Sequence, residues 1–326
     1  MRRRELIAML GAATAWPLAA SAQQPERIRR IGVLLGFPEN QPFTQAIVKA
    51  FRQALERYGW IERKNISIDY RFASGDPALY RAYAGELVDL APDVILASPG
   101  PGVFSLRQRT RTIPIVFVLL PDPVALGVVQ SLARPGGNIT GFASYDASMI
   151  GKWLQLLKEV APGVRRVAVI FDPDTAYAPS LDPVIEAARS FGVKVTIAPV
   201  HDDAAIEEAI AAQAREPEGG LICLPDSFNE THRDLIISAA ARHRLPLIGT
   251  PTFPRAGGLM SYSFDPIDLY TQAASYIDRI LNGASPADLP VQYPTKYSLI
   301  INLKTAKALG LTVPPGMLDL ADEVIE

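Results

Sequence analysis

Arg29-Arg30-Ile31-Gly32-Val33-Leu34-Leu35 is a basic pair followed by an unbroken apolar run, the pattern of a strand buried on both faces of a parallel sheet. The pattern returns half a chain later as Arg165-Arg166-Val167-Ala168-Val169-Ile170-Phe171. Two more echoes follow in order. Tyr58-Gly59-Trp60 is matched by Phe191-Gly192-Val193, and Thr112-Ile113-Pro114-Ile115-Val116 by Arg244-Leu245-Pro246-Leu247-Ile248. The offsets are 136, 133 and 132 residues. Apolar strands look alike, so one echo carries little, but three in register predict two similar doubly wound α/β lobes.

Amphipathic helices fill the intervals. Phe43–Tyr58 places Ile47, Phe51 and Leu55 on one face, and Gly59 closes it. Leu79–Leu90 and Asp268–Leu281 read the same way, the latter ending at Asn282-Gly283. The elements after Leu259 are too few for a third domain, so they must add to the two lobes. The expected division is 28–145 with 260–291 for the first lobe and 146–259 with 292–326 for the second. Crossings fall near Tyr145–Ser148, Tyr262–Asp265 and Pro290–Tyr297, making a multi-strand hinge with a defined axis.

Ahead of all this stands an export signal, residues 1–22. Arg2, Arg3 and Arg4 form its charged start, Leu6–Leu18 is largely apolar, and Ala20-Ser21-Ala22 supplies the small-x-small cleavage pattern. Cleavage after Ala22 leaves no Cys for a lipid anchor, and Arg3-Arg4 also loosely fits a twin-arginine signal. The mature chain is therefore expected outside the cytoplasm.

Composition narrows the function. Lys+Arg 32 against Asp+Glu 34 gives a net charge of −2, with no surplus for nucleic acid. One cysteine, Cys223, sits in an apolar strand, and three histidines offer too little for a zinc site. There is no G-x-S-x-G elbow and no Walker A loop. Gly100-Pro101-Gly102-Val103-Phe104-Ser105 only partly fits a dinucleotide loop, since Ser105 replaces the third glycine. A helix N-terminus receiving a small carboxylate suits it better. No catalytic team and no cofactor are expected, so the chain reads as a binding protein and not an enzyme.

In open α/β sheets ligands sit beyond the carboxyl ends of the strands. Here those ends read Gly36-Phe37-Pro38, Ser98-Pro99-Gly100, Leu120-Pro121-Asp122-Pro123, Asp172-Pro173-Asp174 and Pro225-Asp226-Ser227-Phe228, with Tyr262-Ser263-Phe264-Asp265 at a crossing. Any one of them is ordinary turn chemistry. Together they bring aspartates (Asp122, Asp174, Asp226, Asp265) and aromatics (Phe37, Phe228, Tyr262) from both halves to one edge. Aspartate pairs with an ammonium, a ring sandwiches an apolar group, and the helix start at Ser98-Pro99-Gly100 receives a carboxylate. The expected ligand is a small zwitterion, an amino acid above all. First-half loops would hold its carboxylate while Asp226 and Phe228 close over it.

Several stretches resemble a known family: Arg30-Ile31-Gly32-Val33-Leu34, Asp122-Pro123-Val124, Arg134-Pro135-Gly136-Gly137-Asn138-Ile139-Thr140-Gly141, Pro294-Thr295-Lys296-Tyr297, and above all Asn302-Leu303-Lys304-Thr305-Ala306-Lys307-Ala308-Leu309-Gly310-Leu311. They look like the ABC transporter substrate-binding proteins whose better-known members bind tryptophan, tyrosine or phenylalanine. The resemblance implies the type I periplasmic binding-protein fold, two Rossmann-like lobes with three crossings. It implies capture by hinge closure, docking on an ABC permease, and ligand contacts at Phe37, Ser98-Pro99-Gly100, Asp122, Asp226, Tyr262 and Asp265. Leu119-Leu120 departs from the family's smaller residues and implies a reshaped pocket. A sensory binding module would share the cleft; an exported two-lobed enzyme would need metal carboxylates or a base.

Overall fold

The computed structural model describes residues 27–145, 148–173 and 181–326. The export segment and Asp174 lie outside the described residues. The first sheet contains β1 (Arg29–Leu35), β2 (Ile66–Phe72), β3 (Val94–Ser98), β4 (Ile115–Leu120) and β5 (Ile139–Ala143), all parallel in the order β2-β1-β3-β4-β5. The second contains β6 (Arg166–Phe171), β7 (Lys194–Pro199), β8 (Gly219–Cys223), β9 (Leu247–Gly249) and β10 (Met260–Ser263), in the order β7-β6-β8-β9-β10. That is the same winding. Equivalent bonds mark the same register: Ile95 donates its N–H to the Pro114 carbonyl at 2.8 Å, and Leu221 donates to Pro246 at 2.9 Å. The second sheet then grows by β11 (Ser298–Asn302), antiparallel to β10, and β12 (Glu323–Ile325), parallel to β11.

Alternation explains the continuous apolar runs. Ile31, Val33 and Leu35 of β1 face one buried cluster while Leu34 faces another. Val167, Val169 and Phe171 of β6 likewise oppose Ala168 and Ile170. Both faces are covered, so every side chain in the run is buried, each large one stabilising by about 1.5–3 kcal/mol. Helices supply the covers: α1 (Pro42–Arg57), α2 (Pro77–Asp89) and α3 (Gly100–Arg109) on the first sheet, and α4 (Ser148–Val160), α5 (Asp182–Ser190), α6 (Asp203–Ala214), α7 (Ser227–Thr231), α8 (Arg233–Arg242) and α9 (Thr252–Arg255) on the second. Their ends follow the sequence. Asp76 caps α2 by accepting from the Ala78 N–H at 2.7 Å, and Gly59 after α1 takes φ +86°, the left-handed region it fills without a Cβ clash.

The chain changes lobe between β5 and α4. It returns after β10, where Asp265 caps α10 (Pro266–Leu281), which lies along α1 and the first sheet. Trp60 Nε1 ties that docking to Asp278 Oδ1 at 2.9 Å. Gln292 then joins the first-sheet edge through bonds of 2.8 and 3.1 Å to Ala143 and Gly141 before the chain enters β11. Two expected boundaries therefore move. Met260–Ser263 is a strand of the second sheet, because it completes the β9 edge, and Gln292 belongs to the first. The chain closes with α11 (Leu303–Ala308), α12 (Pro315–Asp319) and β12.

Candidate functional site

The strand ends face each other across a cavity of about 540 Å³ between the lobes, within the 300–1,000 Å³ or so typical of small-molecule sites. Its lining is chemically divided. Phe37, Phe43, Pro99 and Leu119 come from the first lobe; Pro225, Asp226, Ser227, Glu230, Thr250, Thr252 and Arg255 come from the second. Asp265 and Ile267 enter from the crossing into α10, and Ser298 and Ile300 from β11. Phe37 and Phe43 pack edge to face with centroids 5.1 Å apart. Leu119 reaches the cavity through a bulge between Val118 and Leu120, with its own φ at +62°. Its neighbour Leu120 is fully buried.

Asp226 is the most perturbed acid. As the N-cap of α7 its Oδ1 accepts from the Asn229 N–H at 2.7 Å, while Oδ2 accepts from Asn229 Nδ2 at 2.9 Å and the Asp172 N–H at 3.3 Å. Burial pushes its pKa up to about 8, the Asp172 charge adds to the rise, and the backbone N–H bonds oppose it. One helical turn on, Glu230 is also raised by burial. Its Oε2 accepts from Thr252 Oγ1 at 2.9 Å and Thr250 Oγ1 at 3.0 Å, and its Oε1 lies 3.6 Å from Arg233 Nη1. Two buried carboxyls in one wall can receive a cation once ionised.

The lobes touch at one rim of the cavity. Tyr80 OH of α2 lies 3.2 Å from Ser227 Oγ of α7, and both are buried. Gly36 makes room for that ring: a Cβ there would sit 1.8 Å from the Tyr80 hydroxyl. A side chain at Gly75 would meet the Phe228 backbone at 3.8 Å.

Of the residues singled out in the sequence, Phe37, Pro99, Asp226 and Asp265 line the cavity together. The others go elsewhere. Ser98 is buried and bonded to Tyr270 OH at 2.6 Å, fixing α10 to the first sheet. Gly100 opens α3 beside Pro99 and is itself buried. Asp122, at φ +33°, accepts from the Ala125 N–H at 3.1 Å and makes a turn. Phe228 stacks on His232 at 4.0 Å, at the lobe contact and off the cavity. Tyr262 stacks on Tyr297 at 5.8 Å and its carbonyl accepts from Trp153 Nε1. The rings that line the cavity, Phe37 and Phe43, come from the first lobe.

Glu230, Thr250, Thr252 and Arg255 were not anticipated. The rule of strand ends reaches Thr250-Pro251-Thr252 directly after β9, and Glu230 stands four residues after the Asp226 cap. Both were legible signals. Nothing in the sequence marks Arg255.

A family model described as ABC transporter substrate binding protein matches residues 37–325. A tyrosine-binding protein of Clostridioides difficile (strain R20291) is 27% identical over 266 residues, 81% of this chain and 76% of that one. Among solved structures, the ABC domain in complex with L-Trp from Streptococcus pneumonia is 23% identical with a TM-score of 0.84, covering 91% of this chain and 99% of the other. The ligand-free, open structure of a substrate-binding protein with adhesive properties from Clostridium difficile has the same coverage and 25% identity, yet its TM-score is 0.66. Family and relative are solute-binding proteins, not enzymes.

Proposed function

We propose that this chain, which belongs to the ABC transporter substrate-binding protein family, captures an amino acid with an apolar or aromatic side chain and delivers it to the membrane permease of an ABC importer. The observation that carries the reading is the divided cavity. Its first-lobe wall of Phe37, Phe43, Pro99 and Leu119 suits a ring, and its second-lobe wall of Asp226 and Glu230 suits an ammonium. A curated relative at 27% identity is named for tyrosine, which agrees with that chemistry.

Capture proceeds by closure about the crossings, bringing the two walls onto one ligand. To move the lobes from 1:99 to 99:1 closed, a ligand must favour the closed form by about 5.5 kcal/mol. A hydrogen bond to a charged group contributes about 1.5–3 kcal/mol, and burying an aromatic side chain a similar amount. Two such bonds and a ring suffice. The Tyr80–Ser227 contact, and a TM-score of 0.84 to the L-Trp complex against 0.66 to the open form, support a closed arrangement of the lobes. Export and cleavage after Ala22 would place the protein outside the cytoplasm; among the described residues no helix is long and apolar enough to cross a membrane.

The test is isothermal titration of the mature chain, stripped of ligand by denaturation and refolding, against each common amino acid. At least one apolar or aromatic amino acid binds. Silence across the whole set overturns the reading.

A further inference from the structure

We infer that Arg255 receives the ligand's carboxylate and that Glu323, on the last strand and outside the cavity lining, is the residue that positions it. The inference rests on the amino-acid reading and names the half of the zwitterion that Asp226 and Glu230 leave unbound.

A carboxylate in a cavity lined by three acids needs a cation or free N–H groups. Among the described residues of the lining, Arg255 is the cation; the other ionisable groups are Asp226, Glu230 and Asp265. Several N–H groups at the helix starts nearby are already spoken for. Pro101 has no N–H, and Gly102 donates its own to the Pro99 carbonyl at 3.1 Å. The Ile267 N–H goes to Asp265 Oδ1 at 2.9 Å, and the Asn229 N–H to Asp226. The second lobe offers the charged seat, through Arg255.

Among the described residues, the guanidinium is held on one edge. Nε lies 3.3 and 3.2 Å from Glu323 Oε1 and Oε2, and Nη2 lies 2.6 Å from Oε2. A guanidinium has five N–H donors in a planar fork, so Nη1 and one Nη2 hydrogen remain for a second carboxylate. The β11–β12 ladder sets the placement: Glu323 is the register partner of Ile300, and Ile300 itself lines the cavity. Arg255 follows Thr252 within α9, the residue that bonds Glu230. Arg255 thus shares one short helix with the threonine that holds Glu230, and both side chains line the same cavity. The Arg255 and Glu323 side chains remain 55% and 39% exposed, so the pair adds little to folding. Its consequence is orientation.

The experiment compares amino acids with their carboxamides, which keep the ammonium and lose the negative charge. The probes are L-tyrosine, L-phenylalanine, L-tryptophan and L-leucine, titrated by calorimetry with wild type, Arg255→Gln and Glu323→Gln. Wild type prefers acid to amide by at least roughly tenfold, about 1.4 kcal/mol. Arg255→Gln abolishes that preference and Glu323→Gln reduces it, with melting temperatures of the ligand-free proteins unchanged. An acid-to-amide ratio untouched in Arg255→Gln removes the carboxylate from this residue. One untouched only in Glu323→Gln removes the positioning role. A wild type that binds the amides as tightly as the acids overturns the inference by itself; one silent to every common amino acid and to their amides overturns the amino-acid reading as well.

Discussion

The two lobes share a winding and differ at the rim. Strands β2-β1-β3-β4-β5 and β7-β6-β8-β9-β10 follow one plan, down to the matching bonds onto Pro114 and Pro246. Beyond their carboxyl ends the chemistry diverges: two phenyl rings and a leucine on one side, carboxyls, threonines and an arginine on the other, with prolines on both. A sheet's interior is constrained by packing on both faces, whereas the loop after each strand is free to change. Two copies of one scaffold thus yield a cavity with an apolar pole and a charged pole. In the proposed function, neither lobe alone holds the ligand well.

The severest way to break this comparison is to remove charge from the second rim. Asp226→Asn keeps a good N-cap and the shape of the site. It is expected to weaken amino-acid binding by roughly ten- to 150-fold, the value of a hydrogen bond to a charged group. Calorimetry reads it directly; undiminished affinity would place the ammonium elsewhere. The pH dependence sharpens the same point. Asp226 titrates near 8, far above an ordinary aspartate, so it is mostly protonated at pH 6 and must lose its proton to meet an ammonium. Affinity therefore rises with pH toward 8, with protons released on binding, and Asp226→Asn flattens the profile. Folding runs the opposite way. A raised acid stabilises the ligand-free fold below the unfolded aspartate value, and that contribution is lost as pH rises through about 8.

A smaller effect is expected on the apolar rim. Phe43→Ala removes the edge-on partner of Phe37, an arrangement worth about 0.5–1.5 kcal/mol beyond area burial. Binding of aromatic amino acids should fall by roughly two- to tenfold, while a small ligand such as alanine loses less. Equal losses for phenylalanine and alanine would show that the first lobe does not read the side chain.

The scaffold was legible because two-faced burial writes itself into sequence as unbroken apolar runs, and the runs at Ile31 and Val167 repeat. The crossings were legible because α10 has a clear period and capping aspartate. Ownership of Met260–Ser263 was not, since a four-residue strand carries no mark of the sheet it joins. At the site, Pro and Asp locate loops without saying where each side chain points. Ser98 and Asp122 were spent on holding the backbone together, and Phe228 on a stack with His232. Arg255 escaped notice because its partner Glu323 lies 68 residues away and meets it only through the β11–β12 ladder.

The finest test concerns the seam between the rims. The Tyr80 and Ser227 hydroxyls are buried against each other at 3.2 Å, although they belong to different lobes. In the proposed closure cycle the hydroxyls separate on opening and each takes water, so the bond favours only the closed form. Tyr80→Phe deletes one oxygen and leaves the ring in the slot that Gly36 provides. A typical buried hydrogen bond contributes about 0.5–1.5 kcal/mol net, so ligand affinity should fall by roughly two- to tenfold. The melting temperature of the ligand-free protein should hardly move, and small-angle scattering at half-saturating ligand should show a larger open fraction. If instead Tyr80→Phe destabilises the ligand-free protein as much as the complex, the contact belongs to the resting fold. The two rims would then form one rigid body, and closure could not be what unites their opposite chemistries.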